Sequence, residues 1–203
     1  MTTLSRLQSD IDVRVQAIRE EHPEWLCGKG CANCCRRLAE IPQLTATEWR
    51  LLREGLAALS PERLQAISHD LAALVGQPWR PIVCPLLDPS TNACPVYAQR
   101  PVACRTYGYY VQRSLGLYCH EIESRVADGT LADVVWGNHD AIDHRLARLG
   151  GTRPLSEWFE LWQRSGEGES QTDLIAAGLS TAPAGRGGPD SAGAGGAAVG
   201  GLG

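Results

Sequence analysis

The chain has 203 residues, 43% of them hydrophobic and 21% charged, with a net charge of -4. That supports one modest core and excludes a nucleic-acid binder that relies on a broadly basic surface. No apolar run approaches the ~20 residues of a membrane span, and the charged start has no signal-peptide pattern, so a cytoplasmic protein with no membrane or nucleic-acid partner is expected.

Residues 3–21 predict an amphipathic helix, because Leu4, Leu7, Ile11, Val15 and Ile18 recur at steps of three and four. His22-Pro23 ends it, since proline disfavours helix in the residue before it. Thr45 to Glu48 fits a capping box that starts a helix reaching about Ala58, burying Trp49, Leu52 and Leu56. Ser60-Pro61 then caps a second helix carrying Leu64, Ile67, Leu71 and Leu74, which Gly76 and Pro78 stop. Residues 78–120 are punctuated by prolines, so regular structure there is short. One or two helical turns over 94–99 are expected, and the alternation of Tyr107, Tyr109 and Val111 suits a short strand. Asn138 to Leu149 reads as a helix closed by Gly150 and Gly151. Ser156 is expected to cap another, with Trp158, Phe159, Leu161 and Trp162 on its apolar face. The expected organisation is a single cysteine-cluster domain over 1–165, with its cysteine core at 24–120. A low-complexity tail over 166–203 has too little apolar content to offset its chain entropy and is expected to be disordered.

The chemistry lies in the cysteines. All eight fall between residues 27 and 119: Cys27, Cys31, Cys34, Cys35, Cys84, Cys94, Cys104 and Cys119. A reducing cytoplasm does not favour disulfides, and thiols used as small apolar fillers would not be confined to one stretch, so the clustering points to metal. Gaps of three and two residues over Cys27-x3-Cys31-x2-Cys34 let successive sulfurs fold back on one ion or cluster. Lys29, Arg36, Arg37, Arg100 and Arg105 are expected to bring positive charge to the thiolates that a metal requires. In Cys84-Pro85 and Cys94-Pro95, a proline after the ligand stiffens the turn, as at the end of bacterial ferredoxin motifs.

Cys-x3-Cys-x2-Cys-Cys, then Cys-Pro-Leu-Leu, then Cys-x-Val-Tyr-x-x-Arg-Pro-x-x-Cys-Arg resembles the YkgJ-like cysteine-cluster family, over residues 27 to about 119. The resemblance implies zinc or iron chelation and no settled reaction. A longer relative methylates flagellin lysines, but no glycine-rich loop after a strand marks an S-adenosylmethionine site here.

Other readings carry less. The spacing Cys27-x3-Cys31-x2-Cys34 also occurs in radical S-adenosylmethionine enzymes, but Asn33 stands where those have an aromatic, and no barrel succession follows. The five tyrosines, all between 97 and 118, are read as packing around an irregular core. His120 is read as a polar partner rather than a ligand, and His139 and His144, near Asp140 and Asp143, as part of a solvated face. The expected protein is mainly α with short irregular or β segments, a small metal-stabilised cysteine-rich core flanked by helices. Its favoured function is to hold an iron–sulfur cluster for electron transfer or redox sensing, with an unidentified protein or redox partner. One alternative is a Zn2+-stabilised interaction module without catalysis. The other is a component of a methyltransferase or redox enzyme.

Overall fold

The computed structural model describes residues 2–77 and 79–166, so the expected disorder of the C-terminal tail lies outside the described residues from 167 onward. Among the described residues, eight helices and five short strands follow one another: α1 Thr3–Glu21, α2 Asn33–Arg36, β1 Gln43–Thr45, α3 Ala46–Ala57, α4 Pro61–Leu74, α5 Val102–Thr106, β2 Tyr110–Gln112, β3 Leu115–Leu117, α6 His120–Ala127, β4 Gly137–Asn138, α7 His139–Ala147, β5 Thr152–Pro154 and α8 Leu155–Gly166. A 3-10 turn spans Tyr97–Gln99. The class is mainly α with two small sheets, as the sequence implies. No described helix is long and apolar enough to cross a membrane.

The long helices form where periodicity and caps agree. Thr2 caps α1, and Leu4, Leu7, Ile11 and Ile18 are buried along its stripe, while Val15 is only half-buried. The Thr45–Glu48 capping box is formed at α3, and Ser60 caps α4 with Pro61 at its first position. Two expectations shift. Tyr107 ends α5 instead of entering a strand, and the strand begins at Tyr110, because hydrogen bonds to β3 and β4 fix the register there. Ser156 lies inside α8 rather than capping it. The strand β5 runs straight into Leu155, whose N–H bonds to the Pro42 carbonyl at 2.9 Å. Helices α2, α5 and α6 have no signature of their own in the sequence.

Two hydrophobic cores result. The first gathers α1, α5, β2, α6 and α7 around Leu7, Ile11, Ile18, Val102, Tyr109 and Ile122. The second gathers β1, α3, α4 and α8 around Leu44, Trp49, Leu52, Ile67, Leu155 and Trp158. In the second, the Trp158 ring stacks on Trp49 at 6.1 Å, and its Nε1 donates to the buried Leu44 carbonyl at 2.9 Å. Trp158→Phe is therefore expected to cost about 2–3 kcal/mol, since it removes that donor and leaves a void. A urea titration checks this, and an unchanged midpoint would mean the bond contributes nothing.

Candidate metal centre

The cysteines sit on the seam between these cores. Cys27 and Cys119 pack against the first, Cys84 and Cys94 against the second. All eight are free and half-buried. Four chain segments deliver them: the loop 22–37 with α2, a hairpin-like loop over 84–94, the short helix α5, and the start of α6, where Cys119 is the N-cap.

Each segment is pinned by local chemistry. The first loop follows α1 because buried His22 ends that helix, its N–H bonding to Ile18 O at 2.9 Å. The loop is tied to the second segment by the Leu38–Ile82 bridge and by the Cys84 N–H, which donates to Cys35 O at 2.6 Å. The limbs bearing Cys84 and Cys94 are closed by the Asp88–Ala93 bridge. The Asp88 carboxylate accepts from Ser90 N and Oγ and from Thr91 Oγ1, and these bonds hold its carboxyl down to about 2. Arg63 of α4 donates to the Leu87 carbonyl at 3.0 Å and so anchors the loop to the second core.

Helix α5 carries Cys104. Its N-cap, Pro101, offers no side-chain acceptor, and the Val102 N–H donates instead to Glu48 Oε1 at 2.9 Å. The other oxygen of Glu48 accepts from Thr45 N and Oγ1, each at 2.9 Å. One buried carboxylate thus caps two helices. On the far side, Gly108 at φ +90° lets the chain pass against Cys27, and a Cβ there would lie 2.8 Å from Cys27 Sγ. The Tyr109 hydroxyl donates to the Cys27 carbonyl at 2.5 Å.

Cys34 and Cys35 have their sulfurs 3.8 Å apart. Cys27, Cys31, Cys34 and Cys119 line one cleft with Tyr107, Gly108 and Ile122. Cys35 interacts with Cys84 and Cys94, and Cys104 with Cys34, Cys35 and Cys94. The expected residues thus fall into two neighbouring groups, one lining the cleft and one around Cys35 and Cys104. Among the described residues, no three Cys, His, Asp or Glu side chains are already closed around one ion position. The sulfurs converge without forming a finished shell.

The surroundings of five of the thiols favour their neutral form. Burial, with Cys31 and Cys34 adding to it, pushes the Cys27 thiol up to about 12. Burial and the neighbouring Cys34, Cys35 and Cys94 do the same to Cys104, to about 12. Cys34 is raised by its hydrogen bond to Cys35 and by burial. Cys35 is pulled down by Cys34, but its bond to Cys84 and burial outweigh this and leave it at about 12. Burial also raises Cys94. Arg100 opposes these shifts at Cys34, Cys94 and Cys104 without reversing them. The expectation that nearby side chains would supply the thiolate charge is thus only partly met. Arg100 stacks on Tyr97, with its guanidinium carbon 3.4 Å from the ring centroid. Arg105 instead pairs with Asp12 of α1 at 3.0 Å, and Arg36 donates to Asn92. Buried thiols that repel one another as thiolates fit a metal, which supplies the missing positive charge.

Of the remaining candidates, the histidines stay out of the cleft. The His120 side chain is 83% exposed beside Glu123. His139 is largely covered, 3.3 Å from Asp143 and edge-on to Tyr110, so only His144 of that pair is on an exposed face. Tyr107 lines the cleft, Tyr109 bonds Cys27 and stacks on Trp25, and Tyr118 contacts Trp136. The tyrosines are packing residues around the site, as expected. Gly108 escaped the sequence reading, and so did the second role of Glu48. The capping box located Glu48, but nothing in one sequence tells that its second oxygen reaches Val102.

No curated protein and no solved structure matches the chain. One family model does, over residues 26–125: CxxCxxCC, described as a "Putative zinc- or iron-chelating domain". The matched span contains all eight cysteines and most of the contacts that pin them, but not the His22 turn that ends α1. The thiols that this geometry gathers are thus the ones the model spans, and residues 26–125, just under half of the chain, are similar to the CxxCxxCC domain.

Proposed function

We propose that the converging thiols bind an iron–sulfur cluster used for electron transfer or redox sensing. One observation carries the reading: eight half-buried sulfurs from four segments lie along the seam of two cores, enough for one or two four-cysteine clusters. Cys-Pro steps at Cys84 and Cys94 support it, because the same step flanks cluster ligands elsewhere. A bound cluster would supply a one-electron couple. The chain's own residues would hold it through the cysteines, orient Cys27 through Tyr109, orient Cys104 through α5, and screen it from water with Tyr107, Ile122 and Trp25.

A second reading, a zinc-stabilised interaction module, is favoured by the 3.8 Å Cys34–Cys35 contact. Metal–sulfur bonds of ~2.3 Å place tetrahedral ligands roughly that far apart. Iron, zinc and acid-labile sulfide measured on anaerobically purified protein, with its visible spectrum, separate the two. Iron with matching sulfide and broad brown absorption is the expected result, with Cys27→Ser and Cys104→Ser each losing colour and stability together. Stoichiometric zinc without sulfide sinks the cluster and supports the module. Eight titratable thiols with neither metal would sink both.

A further inference from the structure

The segments that carry the cysteines are also charged in a way the metal site does not use. Residues 22–37 and 75–120 hold seven of the chain's 19 cations and two of its 23 acids, while the chain as a whole is at -4. A cation that served the thiolates would face inward, as Arg100 does. Arg36, Arg37 and Arg80 are exposed instead, and none has a carboxylate within ion-pair reach among the described residues. Arg80 donates only to the carbonyls of Gln77 and Trp79, at 2.8 and 3.0 Å, which fixes the turn.

That turn displays apolar surface. Trp79 is 73% exposed and Val83 53%. Val83 and Arg37 are the next residues along the two strands of the Leu38–Ile82 bridge, immediately before Cys84 and two residues after Cys35. An uncovered tryptophan next to Arg80, with Arg36 and Arg37 on the strand that the Leu38–Ile82 bridge pairs with the same segment, has the composition of an interface hot spot. Here it lies on the edge of the cysteine core, with a positive field in a chain that is otherwise acidic.

Resting on the cluster reading above, we propose that Trp79 and Val83, with Arg36, Arg37 and Arg80, form the docking surface for an acidic partner protein of the small one-electron carrier class. The acidic rim of such a carrier would meet the arginines and its apolar centre would cover Trp79. Docking there brings the partner against the backbone that holds Cys35 and Cys84.

The test is calorimetric titration of the full, metal-loaded chain with a plant-type ferredoxin, an acidic carrier, at low ionic strength. Cytochrome c serves as the basic counter-probe. The expected result is saturable ferredoxin binding that weakens steeply with salt. Trp79→Ser and the double variant Arg37→Glu/Arg80→Glu should each weaken it about tenfold or more, with metal content unchanged. Cytochrome c should not bind at this surface. Ferredoxin binding that is absent, within twofold in the variants, or matched by cytochrome c overturns the surface. The metal analysis keeps the two proposals apart. An iron–sulfur protein that ignores ferredoxin loses only the docking surface, and a zinc protein that still binds it through Trp79 loses only the redox role.

Discussion

Glu48→Ala is expected to lower stability by roughly 3–5 kcal/mol and to release the metal centre in the same transition. Glu48 is 2% exposed, and Thr45 and Val102 are as deeply buried. Truncation leaves the backbone N–H of both without an acceptor. An orphaned buried donor costs about 1–3 kcal/mol, and two of them are a large fraction of the ~5–15 kcal/mol that holds a domain together. The coupling to the site comes from geometry, since α5 is only five residues long, Val102 opens it and Cys104 lies two residues on. With its first N–H unsatisfied, so short a helix frays, because it has too few internal bonds to survive alone. Glu48→Gln should fall between, since its amide retains one acceptor and presents a donor to the other N–H. Urea midpoints and metal content measured on both variants check the argument. Full metal retention in a strongly destabilised Glu48→Ala would show that Glu48 supports α3 alone and does not position Cys104.

The sequence makes some of this plain and hides the rest for physical reasons. Helices α1, α3 and α4 are legible because side-chain periodicity and capping chemistry agree within a few residues. The thiol set is legible because all eight cysteines fall within one stretch of the chain, and such clustering has few explanations. The short elements are not legible. Helix α5 follows Pro101 and borrows its cap from Glu48, 54 residues earlier in the chain, and β5 exists only because β1 pairs with it. The Tyr107–Val111 alternation gave a strand one turn too early for the same reason. Local alternation signals strand, but partner hydrogen bonds decide where it starts. Arg105 shows a limit of charge reading. Adjacent in sequence to Cys104, it spends its guanidinium on Asp12 and on the Arg100 and Ala98 carbonyls.

Gly108→Ala is the second substitution with a large expected effect, roughly 2–5 kcal/mol. Two terms contribute. The residue sits at φ +90°, where an L side chain costs about 1–2 kcal/mol. Its Cβ would also stand 2.8 Å from Cys27 Sγ and 3.1 Å from Cys27 Cβ, closer than packed atoms allow, and overpacking of this kind costs about 1–3 kcal/mol. Cys27 has little room to yield, because its carbonyl is held by the Tyr109 hydroxyl and its neighbours Cys31 and Cys119 line the same cleft. Gly129→Ala separates the two terms. Gly129 lies at φ +81° with nothing within 4 Å of its Cβ position, so it carries the backbone cost alone. The expected pattern is a modest loss of stability with full metal content in Gly129→Ala, and a larger loss with reduced metal in Gly108→Ala. Equal losses, with metal intact in both, would mean that Cys27 can move aside and that its sulfur is a spare thiol rather than a ligand.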